Sequence, residues 1–166
     1  MTAVVAVIGA KRKIWMASDS AWTTRTSDLV IEGPAKVWRI GDYVIGVAGD
    51  ASCMHVYTSV QWKSSRRWLE KQAITEILEQ CRQHGTKPTD IIGLVGFRGV
   101  LYEHADQSFL PVVGGYAAIG SAQAFLLGYL RGTRNLLPPK ERVKGAVMAA
   151  KEHCSGVQGR IKVVST

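Results

Sequence analysis

Thr2 carries the most chemistry for its position. Removal of Met1 makes it the first residue of the chain, a hydroxyl nucleophile beside its own α-amine. That amine has an unperturbed pKa of about 8, so near neutral pH part of it is free base and can take the hydroxyl proton. A threonine after the initiator methionine is also an ordinary N-terminus. Asp19, within Ser18-Asp19-Ser20, closes an apolar run, where an acid either shapes a turn or pairs with a cation. Lys36 opens the next such run and is either that cation or a solvated lysine. Val47-Ala48-Gly49-Asp50 and Ile119-Gly120-Ser121 read as two strand-to-helix junctions. Backbone N–H groups at the first suit a developing oxyanion, or the glycine simply permits a tight turn. Ser121 at the second is a potential N-cap.

These residues need strands and helices to bring them together. Thr2–Gly9 is β-branched and alanine-rich, a buried strand, and Ile14–Ser18 pairs with it across the charged turn Lys11–Lys13. Ala21–Asp28 is polar and hydroxyl-rich. Lys36–Ile40 and Tyr43–Ala48 form a second hairpin around Gly41-Asp42, with Pro34 just ahead of it. Asp50 is suited to cap a helix whose face holds Ala51, Met54, Tyr57 and Trp62. Helical character runs to His84, with a break near Ser64-Ser65 and Gly85 as the stop. Ile74, Ile77, Leu78 and Cys81 form the stripe of the second helix. Thr89–Phe97 and Val100–His104 make a third hairpin, and Tyr116–Ile119 a short strand. Helices follow over Ala122–Arg131 and from Pro138-Pro139 to Cys154, then a strand over Arg160–Val164. Segregated runs of strands and helices indicate an α+β class, with helix pairs on the outer faces of two stacked sheets.

Composition narrows the options. With 166 residues, 46% apolar and 20% charged, the chain is one domain with a sizeable core and not a disordered one. No apolar run reaches the ~18 residues of a membrane span, and the apolar opening lacks the basic start of a secretory signal. The net charge of +8 permits an acidic partner without demonstrating one. Lys63, Arg66, Arg67 and Lys71 beside Trp62 and Trp68 are the candidate nucleic-acid patch, although such runs are usually solvated helix faces and no binding motif accompanies them. Cys53, Cys81 and Cys154 have no CxxC partner and no histidine at ligand spacing, so they read as reduced, mostly buried thiols in a cytoplasmic protein.

The order Thr2, Ser18-Asp19-Ser20, Lys36-Val37, Val47-Ala48-Gly49, Ile119-Gly120-Ser121 and Glu152–Gly156 resembles proteasome β-type subunits. The length and the expected lack of a pro-segment are most similar to the HslV-like branch of these N-terminal-nucleophile hydrolases. The resemblance spans nearly the whole chain and implies a four-layer αββα sandwich in one domain. It implies that Thr2 supplies hydroxyl and amine, that Lys36 lowers the amine pKa, that Asp19 holds Lys36, and that the Gly49 N–H receives the oxyanion. Ser121 would bond the terminal amine, and Glu152 and Ser155 would support the nucleophile. Trp22, Val47 and Ala51 would line the specificity pocket. The implied activity needs no cofactor, and the sequence leaves open a monovalent or divalent cation near the end of the last helix. The implied partners are copies of the chain in a ring, stacked as a double ring, an HslU-like AAA+ ATPase, and unfolded protein.

Three positions depart from the pattern. Glu152 stands for a shorter Asp, Ala122-Gln123 follows Ser121 in place of the usual glycine, and Trp22 replaces a small residue. With Met1 attached, Thr2 has no free amine at all. Three readings follow: a threonine peptidase, an inert proteasome-like shell or scaffold, and, less favoured, a basic nucleic-acid-binding module.

Overall fold

Strand β1 (Val4–Ile8) is apolar on both faces because both faces are covered. Val5 and Val7 pack under helices, while Val4 and Ala6 face a second sheet. The computed structural model describes residues 2–24, 27–49, 51–105 and 107–166. One antiparallel sheet has the order β10-β1-β2-β11, with β2 at Ile14–Ser18, β10 at Tyr116–Ile119 and β11 at Lys162–Ser165. The other runs β5-β6-β7-β8-β9, with β5 at Val37–Ile40, β6 at Tyr43–Gly49, β7 at Ile91–Phe97, β8 at Val100–Ala105 and β9 at Ser108–Pro111. Among the described residues, β3 (Ala21–Thr24) and β4 (Ser27–Glu32) form a separate two-stranded sheet.

Helices close both outer faces. α4 (Gln123–Gly132) and α5 (Pro139–His153) cover the first sheet through Leu126, Leu130, Val143 and Val147. α1 (Ser52–Ser59), α2 (Arg66–Lys71) and α3 (Ala73–His84) cover the second through Val56, Tyr57, Leu69 and Ile77, which meet Tyr43, Ile45 and Val47. A third apolar layer between the sheets holds Val4, Met16, Val37, Val44 and Leu94. These layers form the αββα sandwich expected from the sequence.

The structure refines several elements. The polar stretch from Ala21 is a hairpin, invisible to apolar periodicity, with a register shift between Thr23 and Thr24. β9 was not expected, since it is short and ends in a proline that only an edge strand accommodates. Three helices, not two, follow β6. α1 stops at Ser59, and α2 starts after Ser65, whose hydroxyl accepts from Trp68 N. Trp62 therefore lies off the helix, in the connection, with its ring against Tyr43, Tyr57 and Trp68. Gly85 ends α3 in the left-handed region, as its sequence position suggested. Asp50, the expected cap of α1, lies outside the described residues.

Glycine sets the spacing of the sheets. A Cβ at Gly46 would sit 2.6 Å from both Met16 Sδ and Val4 Cγ1. One at Gly96 would meet Val44 and Ile14 at 2.6–2.9 Å. Met16, Val4 and Ile14 from the facing sheet, and Val44 from the neighbouring strand, occupy the space these glycines leave. Gly46→Ala is therefore expected to cost about 1–3 kcal/mol by overpacking, read as a lower denaturant midpoint at unchanged m-value.

Candidate active site

Antiparallel pairing of β1 with β2 places the residues just outside them side by side. Val4 is opposite Ser18, so Ala3 meets Asp19. Asp19 Oδ1 accepts from Ala3 N at 3.0 Å, and Asp19 N donates to the Ala3 carbonyl at 3.3 Å. Oδ2 accepts from Ala21 N at 3.3 Å. Lys36 enters from the other sheet, immediately before β5. Its backbone is fixed on both sides: its N–H donates to Ser18 Oγ at 3.2 Å, and its carbonyl accepts from Val47 N at 3.0 Å. Its ammonium lies 2.9 and 3.0 Å from the two Asp19 oxygens and also donates to the Ala21 carbonyl.

Both partners of this ion pair are 0% exposed. Burial pushes the Lys36 pKa down, and the Asp19 charge and hydrogen bond oppose that shift only in part. The ammonium also stands 5.1 Å from the centre of the Trp22 ring. Asp19 does not act as a turn former alone, and Lys36 is not a solvated lysine.

Thr2 is nearly buried, at 7% exposure. Its N–H donates to Ser121 Oγ at 3.1 Å, across 119 positions of sequence. The partner comes from the end of β10, since Ile119 pairs with Val4. Gly120 then turns the chain with φ +99°, and a Cβ there would lie 2.2 Å from the Thr2 carbonyl oxygen. Ser121 does not cap α4. Ala122 holds the N-cap position, and no side-chain hydrogen bond closes that end.

Gly49 ends β6 opposite Ile91, with φ +124°. A Cβ would be 2.1 Å from the Asp90 carbonyl, so the turn itself requires glycine. Trp22 and Ala51 border one groove of about 390 Å³, together with Gly33, Pro34, Met54 and His55. The Trp22 indole N–H is satisfied by the Pro34 carbonyl at 3.0 Å. Val47 is fully buried in the helix-side core with Cys53.

Glu152 and Ser155 stand apart from this group. Both are exposed at the end of α5, and neither hydrogen-bonds to Thr2 among the described residues. In the loop that follows, the Gly159 carbonyl accepts from Lys151 Nζ at 2.6 Å, so a positive charge already meets that loop. Among the described residues no group of three or more His, Cys, Asp or Glu side chains converges on a metal position. None of the three cysteines forms a disulfide among the described residues, and Cys53 and Cys81 are buried. No helix among the described residues is long and apolar enough to cross a membrane. The nucleic-acid patch loses its stacking surfaces: Trp68 is buried, Trp62 packs on the helix-side core, and Arg66 pairs with Glu70. Sequence reasoning missed Ser18 as the acceptor that places Lys36, since a serine beside an acid at a strand end carries no distinguishing signal.

The chain has the fold of proteasome-type N-terminal-nucleophile subunits. It is similar to BPH from Thiobacillus denitrificans, solved in complex with epoxomicin, with a TM-score of 0.75 and 15% identity over 99% of this chain and 98% of that one. It is similar to eukaryotic HslV from Trypanosoma brucei, with a TM-score of 0.72 and 19% identity over 99% and 98% of the two chains. For Anbu, an ancestral β-subunit, from Yersinia bercovieri the values are 0.68 and 16%, over 99% and 81%. No family model and no curated protein matches the sequence.

The buried pair gives a test of the site's physics. Lys36→Met leaves the Asp19 carboxylate buried without its cation and should cost about 3–5 kcal/mol, while Asp19→Asn/Lys36→Met should recover most of that. The folded-state pKa of Lys36 is below its unfolded value of 10.5, so between the two the unfolded chain binds more protons. Relative to the double variant, wild type should therefore gain stability as pH rises through that window. Urea midpoints at successive pH values would show this. A relative stability that falls over the window would contradict it.

Proposed function

We propose that this chain is a threonine endopeptidase subunit of a self-compartmentalising ring, active once Met1 is removed. The observation that carries the reading is the Thr2 nitrogen held by Ser121 Oγ, next to an Asp19–Lys36 pair fully withdrawn from water. The complex of a similar fold with epoxomicin adds support.

In this reading the free Thr2 amine takes the proton of its own hydroxyl as Oγ1 attacks the substrate carbonyl carbon. The Gly49 N–H receives the oxyanion. The proton passes to the leaving nitrogen, the C–N bond breaks, and Thr2 holds the acyl group as an ester. Water then attacks, giving its proton to the amine. The ester C–O bond breaks, and Oγ1 recovers a proton. The Lys36 charge keeps the amine largely neutral near pH 7–8 by disfavouring a second cation nearby. Asp19 positions Lys36, and Ser121 positions the amine. Glu152 and Ser155 are assigned supporting roles.

The subunits form stacked rings in the cytoplasm, fed with unfolded protein by an HslU-like AAA+ ATPase. Among the described residues, the groove beside Trp22 and Ala51 is lined by no Asp, Glu, Lys or Arg, which supports a preference for an apolar or aromatic side chain before the cut. A peptide library should show that preference. Strong selection for Arg or Asp would contradict it.

The second reading, an inert shell, draws on the exposed positions of Glu152 and Ser155 and their lack of a bond to Thr2. The mass of the mature protein and an epoxyketone probe separate the two. The peptidase should lack Met1, and the probe should attach to Thr2. Thr2→Ala should lose adduct and turnover at unchanged melting temperature, and Thr2→Ser should keep some of both. If a chain with a confirmed Thr2 terminus neither reacts with the probe nor degrades unfolded protein with its ATPase, the shell reading replaces this one.

A further inference from the structure

The two sheets are of unequal width. β10 lies over β7, β2 over β6 and β11 over β5, so the four-stranded sheet stops short of the end of β8 and β9. The inter-sheet face continues past its cover there. Leu94, Glu103 and Leu110 stand in one cross-strand row on that face. Leu94 is fully buried in the inter-sheet layer, Glu103 is half-buried, and Leu110 is 58% exposed. Ile92 is two residues from Leu94 on β7, hence on the same face, and is 40% exposed. Glu103 makes no ion pair among the described residues.

The opposite edge of the sandwich belongs to β5 and β11. Val164 packs into the same inter-sheet layer, so Lys162, two residues before it, faces that level too. Lys162 is exposed and without an ion pair among the described residues. It borders a cleft of about 560 Å³ with Gly33, Ala35 and Ile161, and the Glu32–Arg160 pair also lines it.

We propose that the overhang of β8–β9 docks head to tail into the β11-edge cleft of a second copy of the chain. Ile92 and Leu110 supply the apolar contact, and Glu103 meets the Lys162 ammonium of that copy. Glu103 and Lys162 both face the inter-sheet level, at opposite edges of the sandwich, and are of opposite charge. Joining two overhangs to each other would instead bring two Glu103 carboxylates together. The contact is therefore heterologous, the kind that generates a ring when its rotation closes. It rests on the ring reading above and names the surface that builds the ring.

Sedimentation of the full chain at micromolar concentration tests it, with near-ultraviolet circular dichroism confirming that each variant is folded. Wild type should sediment as a multi-chain species. Leu110→Glu and, separately, Glu103→Lys should each raise the concentration for half-assembly by about 30-fold or more. Glu103→Lys/Lys162→Glu should restore assembly. Folded single variants that assemble like wild type would overturn this surface and leave the ring reading standing. Wild type at single-chain mass would overturn both. A double variant that stays dissociated would overturn the Glu103–Lys162 contact.

Discussion

The rest of the site depends on a charge pair kept dry. Asp19 and Lys36 come from different sheets and meet where no water reaches them. Withdrawing two charges from water costs several kcal/mol per ion, and mutual attraction offsets this only when the remaining hydrogen-bonding groups are also met. Here the carboxylate also receives the Ala3 and Ala21 N–H groups, and the ammonium also reaches the Ala21 carbonyl. The pair therefore fixes three segments relative to one another: the start of β1, the link from β2 to β3, and the entry to β5. A slip of register in β1–β2 or β5–β6 would separate the partners and leave each charge buried alone. Strand register is thus specified by electrostatics at the site as well as by apolar alternation.

Close approach of the sheets serves the same geometry. Gly46 and Gly96 give up side chains so that Met16, Val4, Val44 and Ile14 fill the gap. Gly120 gives up its side chain so that the Thr2 carbonyl can rest against the β10 turn. Widening any of these contacts moves the elements that hold Thr2, Ser121 and Lys36.

Much of this was legible in the sequence where burial is continuous. β1, β2, β6 and β7 are apolar along their length because helices or sheets cover both faces, and their positions could be read directly. Asp19, Lys36 and Ser121 could each be singled out by position, but only their joint order suggested that they meet. The β3–β4 hairpin and β9 escaped because pairing in hydroxyl-rich or edge segments leaves no apolar period. The connection after α1 was misread because Trp62 is apolar at a helical spacing yet is held by rings from three other segments. The exposed setting of Glu152 and Ser155 depends on how the end of α5 turns, which spacing does not encode.

The bond between Thr2 and Ser121 links the two ends of synthesis. The Thr2 nitrogen, which the proposed activity needs freed of methionine, donates to a hydroxyl made 119 residues later. At roughly 5–20 residues per second, that leaves an interval on the order of 6–24 s between the emergence of the leading segment and that of its anchor. Within that interval an aminopeptidase meets an extended chain. Afterwards it meets a threonine whose carbonyl rests on Gly120 and whose N–H is engaged, so trimming competes with the closure of β1 against β10. For the peptidase proposed above, exposure of the Thr2 amine becomes a matter of timing during translation, set by how late in the chain Ser121 is encoded.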